Sequence, residues 1–349
     1  MRGEAVNGRV EDVRSLIEEP LLVTKPVNVA YLTGLDSSNA AVLVEPDRVR
    51  VFTDFRYIEK ARALDLDALA LRRNLYAELP EHLPKSVEFE ANFMTYAAWE
   101  QLRAGGVDLV PRHELLESVR AVKEPEELDG IRRAASITNE CFHRLAEQPF
   151  IGRTGRELAW WLESLMRKLG ADGPAFPIIV GAGPDGATPH ATTGDRPIEP
   201  GETVVVDAAA RLDGFYSDCT RTFATGELPE ELARSYDVCF RAQLAALPYV
   251  RAGASGKDVD AVARDLITAA GLGELFGHGL GHGVGRELHE HPWLNPERDS
   301  TLAAGGVVTV EPGIYHPGLG GIRIEDLVII GDDDPEILTT FTKELVTVR

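Results

Sequence analysis

Two segments of this chain carry acidic residues where the pattern calls for buried strands, and that conflict limits how it can fold. Residues 203–223 read as a strand, Asp213-Gly214, and a second strand. Asp-Gly between strand-like runs is a strong hairpin signal, because both central residues of a type I′ turn need positive φ. Such a turn sets Asp218 opposite Ala209, and Asp207, two residues from Ala209, points to the same face. The two carboxylates are then diagonal neighbours, ~7–8 Å apart at the backbone and able to converge. A buried aspartate pair loses hydration and repels itself, and a cation placed between the two removes both problems.

The second segment, residues 307–326, repeats the design. A glycine-rich turn centred near Gly318 places Glu311 opposite Glu325, and Arg323 shares the face of Glu325. Acids in strands ordinarily alternate toward solvent. Here one lies in Val-Thr-Val-Glu-Pro and the other in Ile-Arg-Ile-Glu-Asp-Leu-Val-Ile-Ile, both apolar settings. Between the hairpins, residues 277–292 hold His278, His282, His289 and His291, four of the nine histidines of the chain, interleaved with glycines. A lone histidine is more often a satisfied core residue than a ligand, but four together point to function. The glycines are expected to allow close backbone approach and positive φ.

Four carboxylates and one imidazole form an oxygen-rich set, which favours Mn²⁺, Co²⁺ or Zn²⁺ over copper or an iron–sulfur centre. Four negative charges match two divalent cations, and a pair of such ions activates water and polarises a carbonyl, which is hydrolytic chemistry. Ser217 has no nucleophile-elbow motif around it. The run Gly-Ala-Gly-Pro-Asp-Gly at 181–186 lacks the Lys-Ser/Thr of a phosphate loop.

A length of 349 residues suits two domains. The first third alternates strands (21–23, 42–45, 49–53, 69–71, 87–90, 109–111) with helical stretches (11–18, 55–63, 97–103), which predicts a small α/β domain over residues 1–121. Pro125, followed by acids, marks a helix start soon after the boundary, and residues 122–349 form the second domain. Within it, Gly152-Arg-Thr-Gly-Arg-Glu-Leu aligns with Gly253-Ala-Ser-Gly-Lys-Asp-Val, and Gly170 aligns with Gly271. Each copy reads as a capping box opening a helix that ends at a glycine. This is either the common look of capped helices or a duplicated α/β half with a site between the halves.

The net charge of −20 argues against nucleic acid or an anionic membrane as partner. Three cysteines without a CxxC pair fit a reduced compartment. No signal-like or membrane-spanning run is present in the sequence, so a cytoplasmic protein is expected.

The chain resembles the proline-specific branch of the pita-bread metallopeptidases, which includes prolidase and aminopeptidase P. The likeness is carried by Phe176-Pro-Ile-Ile-Val with Thr188-Pro-His190, Asp207 through Ser217-Asp218-Cys-Thr-Arg-Thr-Phe223, His278-Gly-Leu-Gly-His282, His289-Glu-His-Pro, Glu311-Pro-Gly-Ile-Tyr and Arg323-Ile-Glu325-Asp. It implies an α+β pita-bread catalytic domain with an internal pseudo-twofold repeat, preceded by a smaller α/β domain. It further implies two divalent metal ions, Mn²⁺ above Co²⁺ or Zn²⁺, held by Asp207, Asp218, His282, Glu311 and Glu325. Asp207 is implied as terminal ligand to one ion, His282 and Glu311 as ligands to the other, and Asp218 and Glu325 as bridges. Glu311 doubles as proton shuttle, His190 and His289 contact substrate and stabilise the oxyanion, His278 lines the site, and Arg323 orients the carboxylates. The implied substrates are peptides with proline in second position, and the implied assembly is a homodimer.

Relatives that cleave dipeptides often carry Arg after the His-Glu-X-Pro run, where this chain has Trp293. That favours an Xaa-Pro aminopeptidase, with the Xaa-Pro dipeptidase (prolidase) as the alternative, since Arg286 or Arg298 can stand in for the missing cation. Methionine aminopeptidases share the ligand types but usually lack such an N-terminal domain. A metal-free peptide-binding module and a metal-free amidinohydrolase of the same fold are disfavoured by the retained ligands.

Overall fold

The computed structural model describes residues 2–349, which divide into two compact units between Val119 and Arg120. The first unit is built on a six-stranded sheet: β1 (Leu21–Val23), β2 (Ala40–Val44), β3 (Val49–Thr53), β4 (Ala68–Ala70), β5 (Ser86–Glu90) and β6 (Asp108–Arg112), in the order β4-β3-β2-β1-β5-β6. Central β1 pairs antiparallel with β2 and parallel with β5. Alternate residues feed two cores. Leu21, Val23, Val42 and Val44 pack on one face with Val29 and Leu32, while Leu22, Leu43, Phe52 and Val87 pack on the other with Leu79 and Leu102. Burial on both faces is why β1 and β2 read as continuous apolar runs. The helix Pro26–Thr33 escapes the sequence reading because five of its eight residues are buried, which erases the polar face that marks a surface helix.

The second unit contains the duplicated half, visible as paired detail. Helix Gly155–Lys168 is capped by Thr154 and helix Gly256–Ala269 by Ser255. Gly152 and Gly253 have φ of 82° and 81°, and Gly170 and Gly271, just past the helix ends, have φ of 101° and 77°. Gly152 donates to the carbonyl of Ile198 and Gly253 to that of Leu302, both at 2.9 Å. One detail departs from expectation. Glu157 closes a reciprocal capping box by accepting from the Thr154 N–H at 2.8 Å, whereas Ser255 caps alone and also donates to Asp299. Asp258, a methylene shorter than Glu157, does not complete the box.

Each half contributes one acid-bearing hairpin, and both keep the expected register. Asp213 and Gly214 have φ of 53° and 78°, as a type I′ turn requires. Arg211 pairs with Tyr216 and Asp207 with Thr220, one register throughout, which sets Asp218 opposite Ala209. In the other hairpin Gly313 pairs with Arg323 and Val310 with Asp326, so Glu311 lies opposite Glu325. No helix among the described residues is long and apolar enough to cross a membrane.

Candidate metal centre

The two hairpins meet edge to edge. Glu325 donates its N–H to the carbonyl of Thr220 at 3.1 Å, and Arg323 donates its N–H to Thr222 Oγ1 at 3.0 Å. Strand Gly281–Gly283 completes the ring by pairing with both Glu290–Leu294 and Val307–Val310. His282 donates its N–H to Thr309 Oγ1 and Glu311 donates its N–H to the carbonyl of Leu280, which lock imidazole and carboxylate side by side. Of the two uses expected of the glycines in this loop, positive φ is not taken up by Gly277, Gly279, Gly281, Gly283 or Gly285. Gly279, Gly281, Gly283 and Gly285 instead give the close backbone approach that was also expected: a Cβ on Gly281 would sit 2.0 Å from the carbonyl oxygen of Thr309.

One ligand atom from each of Asp218, His282 and Glu325 lies within 4.8 Å of the others, all buried. His282 Nε2 is 3.7 Å from Asp218 Oδ2 and 3.3 Å from Glu311 Oε1. Its Nδ1 donates to the carbonyl of Gly283 at 3.1 Å, since a carbonyl only accepts, so Nε2 is the atom turned to the carboxylates. Asp207 joins through Arg323, whose Nη2 donates to Asp207 Oδ2 at 2.7 Å, while Asp207 Oδ1 is buried without a hydrogen-bond partner.

Two hydroxyls the sequence reading passed over complete the surroundings. Thr220 Oγ1 donates to Glu325 Oε2 at 2.7 Å and accepts from Arg323 Nε at 3.1 Å. Tyr315 accepts from Arg323 Nη1 at 2.8 Å, which leaves its own proton for His278 Nε2 at 3.2 Å, and His278 Nδ1 donates to the carbonyl of Gly279. Side-chain alternation holds a signal for both: Thr220 lies two residues beyond Asp218, and Tyr315 lies four beyond Glu311. His289 packs its ring 4.2 Å from that of His282 and keeps an exposed side. His190 is also exposed, and among the described residues no hydrogen bond ties it to the cluster.

The electrostatics are those of too many carboxylates in one place. Burial, then the charges of Glu325 and Asp207, push Asp218 well above the usual carboxylate range, and burial with Glu311 and Asp207 does the same to Glu325. Burial also raises Asp207, against the pull of Arg323. Burial works to raise Glu311 too, but the hydrogen bond and charge of His282 outweigh it and hold Glu311 at about 2. Burial opposes charge on His282, yet Glu311 raises its pKa on balance. The buried part of its ring and the charge on His282 push His289 down to about 4, and burial lowers His278. Hard oxygen donors, one imidazole nitrogen turned inward, and an orphaned carboxylate oxygen fit a divalent cation.

Known proteins bear on this arrangement. Residues 129–332 match the model of metallopeptidase family M24, and residues 19–122 match that of the creatinase/prolidase N-terminal domain. An uncharacterised peptidase of Bacillus subtilis is 35% identical over 97% of this chain and 99% of its own length. The structure of an Xaa-Pro dipeptidase from Bacillus anthracis superposes with a TM-score of 0.95 at 33% identity, covering 98% of this chain and 100% of that one. An X-Pro aminopeptidase from Thermotoga maritima gives 0.87 at 31%, covering 96% and 99%. The two-part architecture expected from the sequence is therefore that of these proteins.

Proposed function

The chain belongs to metallopeptidase family M24, and we propose that it hydrolyses the peptide bond on the N-terminal side of proline, using two divalent metal ions. The observation that carries this reading is the convergence of Asp218, His282 and Glu325, with Asp207 and Glu311 beside them, on one buried point. In this reading Asp207, Asp218, His282, Glu311 and Glu325 would hold the ions, Asp207 on one side, His282 and Glu311 on the other, and Asp218 and Glu325 shared between them. Mn²⁺ is the first choice for this donor set, with Co²⁺ and Zn²⁺ next. When bound, the ions supply an activated water and a polarised scissile carbonyl.

The side chains divide the remaining work. Glu311, held ionised, accepts the proton that the nucleophile gives up and passes it toward the departing proline nitrogen. His289 is neutral above about pH 4, so it donates an N–H to the oxygen on which charge develops, and His190 would assist it there. Arg323 holds Asp207 and, through Tyr315, the neutral ring of His278. A homodimer in the cytoplasm belongs to the same reading and rests on the resemblance described above.

Peptide length turns on Trp293. It pairs directly with His282 across the strands, so both side chains share the site face. A tryptophan there supports the aminopeptidase reading, because it gives a free terminal carboxylate no charge partner. A second observation favours the dipeptidase: the Arg298 guanidinium lies 4.9 Å over the Trp293 ring and, among the described residues, makes no ion pair. Arg286 is committed to Glu127 at 2.7 Å. Arg298 is thus the cation that a dipeptide carboxylate would meet, and we favour the Xaa-Pro dipeptidase. The test is metal analysis together with Ala-Pro and Ala-Pro-Ala hydrolysis, in wild type and Arg298→Ala. Cleavage of the dipeptide with a raised KM in the variant supports this reading. Cleavage of the tripeptide alone establishes the aminopeptidase, and no cleavage of either by the metal-loaded protein overturns Xaa-Pro hydrolysis.

A further inference from the structure

Immediately beside His289 lies a buried ionic cluster that the chemistry above does not use. Glu290 opens its strand with a side chain only 2% exposed, and its two oxygens are taken by different cations. Lys123 Nζ lies 3.0 Å from Oε1, and Arg120 Nη2 donates to Oε2. Both cations are equally buried, at 2%. Arg120 also holds Glu287 at 2.9 Å, and the Glu287 N–H donates to Glu290 Oε2 at 3.1 Å. Lys123 is itself fixed, its N–H donating to the carbonyl of Gly305 at 3.0 Å and its Nζ to that of Ala121 at 3.2 Å. Gly285, last glycine of the histidine loop, makes room for the pair: a Cβ there would lie 2.3 Å from Glu290 Oε1 and 3.0 Å from Lys123 Cε.

Buried ion pairs are costly to desolvate and are frequently matched or bettered for stability by apolar packing, so stability alone is a poor reason to place two cations on one carboxylate. What such a cluster does well is fix geometry. With both oxygens of Glu290 held, the backbone from Glu287 to Glu290 has one arrangement, and His289 sits inside that span with its ring against His282. We infer that Arg120 and Lys123 are positioning residues that act through Glu290 to aim His289 at the substrate. The inference rests on the reading that His289 contacts the scissile group. It assigns the two basic residues that open the second unit a part in the reaction, although neither touches a candidate ligand.

The experiment is a double-mutant cycle on the metal-loaded full chain, with Lys123→Met, His289→Ala and the double variant assayed on Ala-Pro. Lys123→Met is expected to lower kcat at least about tenfold, since an ångström of misplacement can cost a hundredfold, with metal content and KM little changed. Lys123→Arg is expected to recover part of the loss. In the His289→Ala background Lys123→Met should then have no further effect, because the group it positions is gone. Should Lys123→Met fail to fold, Lys123→Gln, which also removes the positive charge facing Glu290, carries the same cycle. Effects that multiply independently, or a kcat that does not move in a folded variant, overturn the inference. A wild type that cleaves no Xaa-Pro peptide overturns instead the reading on which it rests.

Discussion

At the scale of single residues, the candidate centre is governed by what each carboxylate oxygen faces. Glu325 faces Thr220, which is itself held by Arg323, so one hydroxyl sets the direction of a proposed bridging ligand. Thr220→Val keeps the shape and removes both bonds. Groups that orient ligands from behind typically contribute 10–100-fold to metal affinity. The variant is expected to bind Mn²⁺ about tenfold or more weakly in competition with a chelator, and an unchanged affinity would show that Glu325 needs no such guide. Asp218→Ala is the harsher test. It removes a donor that lies 3.7 Å from His282 Nε2, so metal and activity should vanish together. A metal-replete, active variant would exclude Asp218 as a bridge.

At the scale of elements, strand register decides whether four acids meet, and register was legible because turn chemistry and the two-residue period are both written in the sequence. Asp213-Gly214 fixed one hairpin and the glycines about Gly318 the other, and the observed pairings put each acid where that reasoning placed it. Other features were less open to reading. The glycines of the histidine loop were expected to allow both close backbone approach and positive φ, and only the first is used, since a sequence cannot separate these two uses of a missing Cβ. Thr220 and Tyr315 look like ordinary strand residues until the partner hairpin arrives, and Arg298 reaches Trp293 only through a loop. Gly214 offers a clean measurement of the turn. Nothing lies within 4 Å of a Cβ built there, so Gly214→Ala meets only the penalty of φ 78°. That penalty is ~1–2 kcal/mol, read as a lower urea midpoint with metal stoichiometry intact. Loss of the metal in the same variant would mean the turn does more than join two strands.

At the scale of the whole molecule, protons and metal ions compete for the same buried charge, and the competition has a sign. Asp207, Asp218 and Glu325 have folded pKa values raised above their ordinary ones. Between the ordinary and the raised value the folded chain holds protons that the unfolded chain releases, so each of the three destabilises the metal-free protein increasingly as pH rises through that window. Glu311 runs the other way. Depressed to about 2, it contributes stability that is complete above its ordinary value and is lost as pH falls through about 2. Above the ordinary carboxylate range the first three lower the stability of the metal-free protein as pH rises, while His278 and His289, whose pKa values are lowered, work against them up to the ordinary histidine value. A divalent ion pairs these carboxylates as anions and cancels the penalty, so metal binding must strengthen with pH by the same linkage. The stabilisation it confers is ~2.7 kcal/mol when free metal is a hundredfold above Kd. The gap in Tm between Mn²⁺-loaded and EDTA-treated protein should accordingly be wider at about pH 8 than at about pH 5. A gap of equal size at both would mean that the ion does not sit among the buried carboxylates.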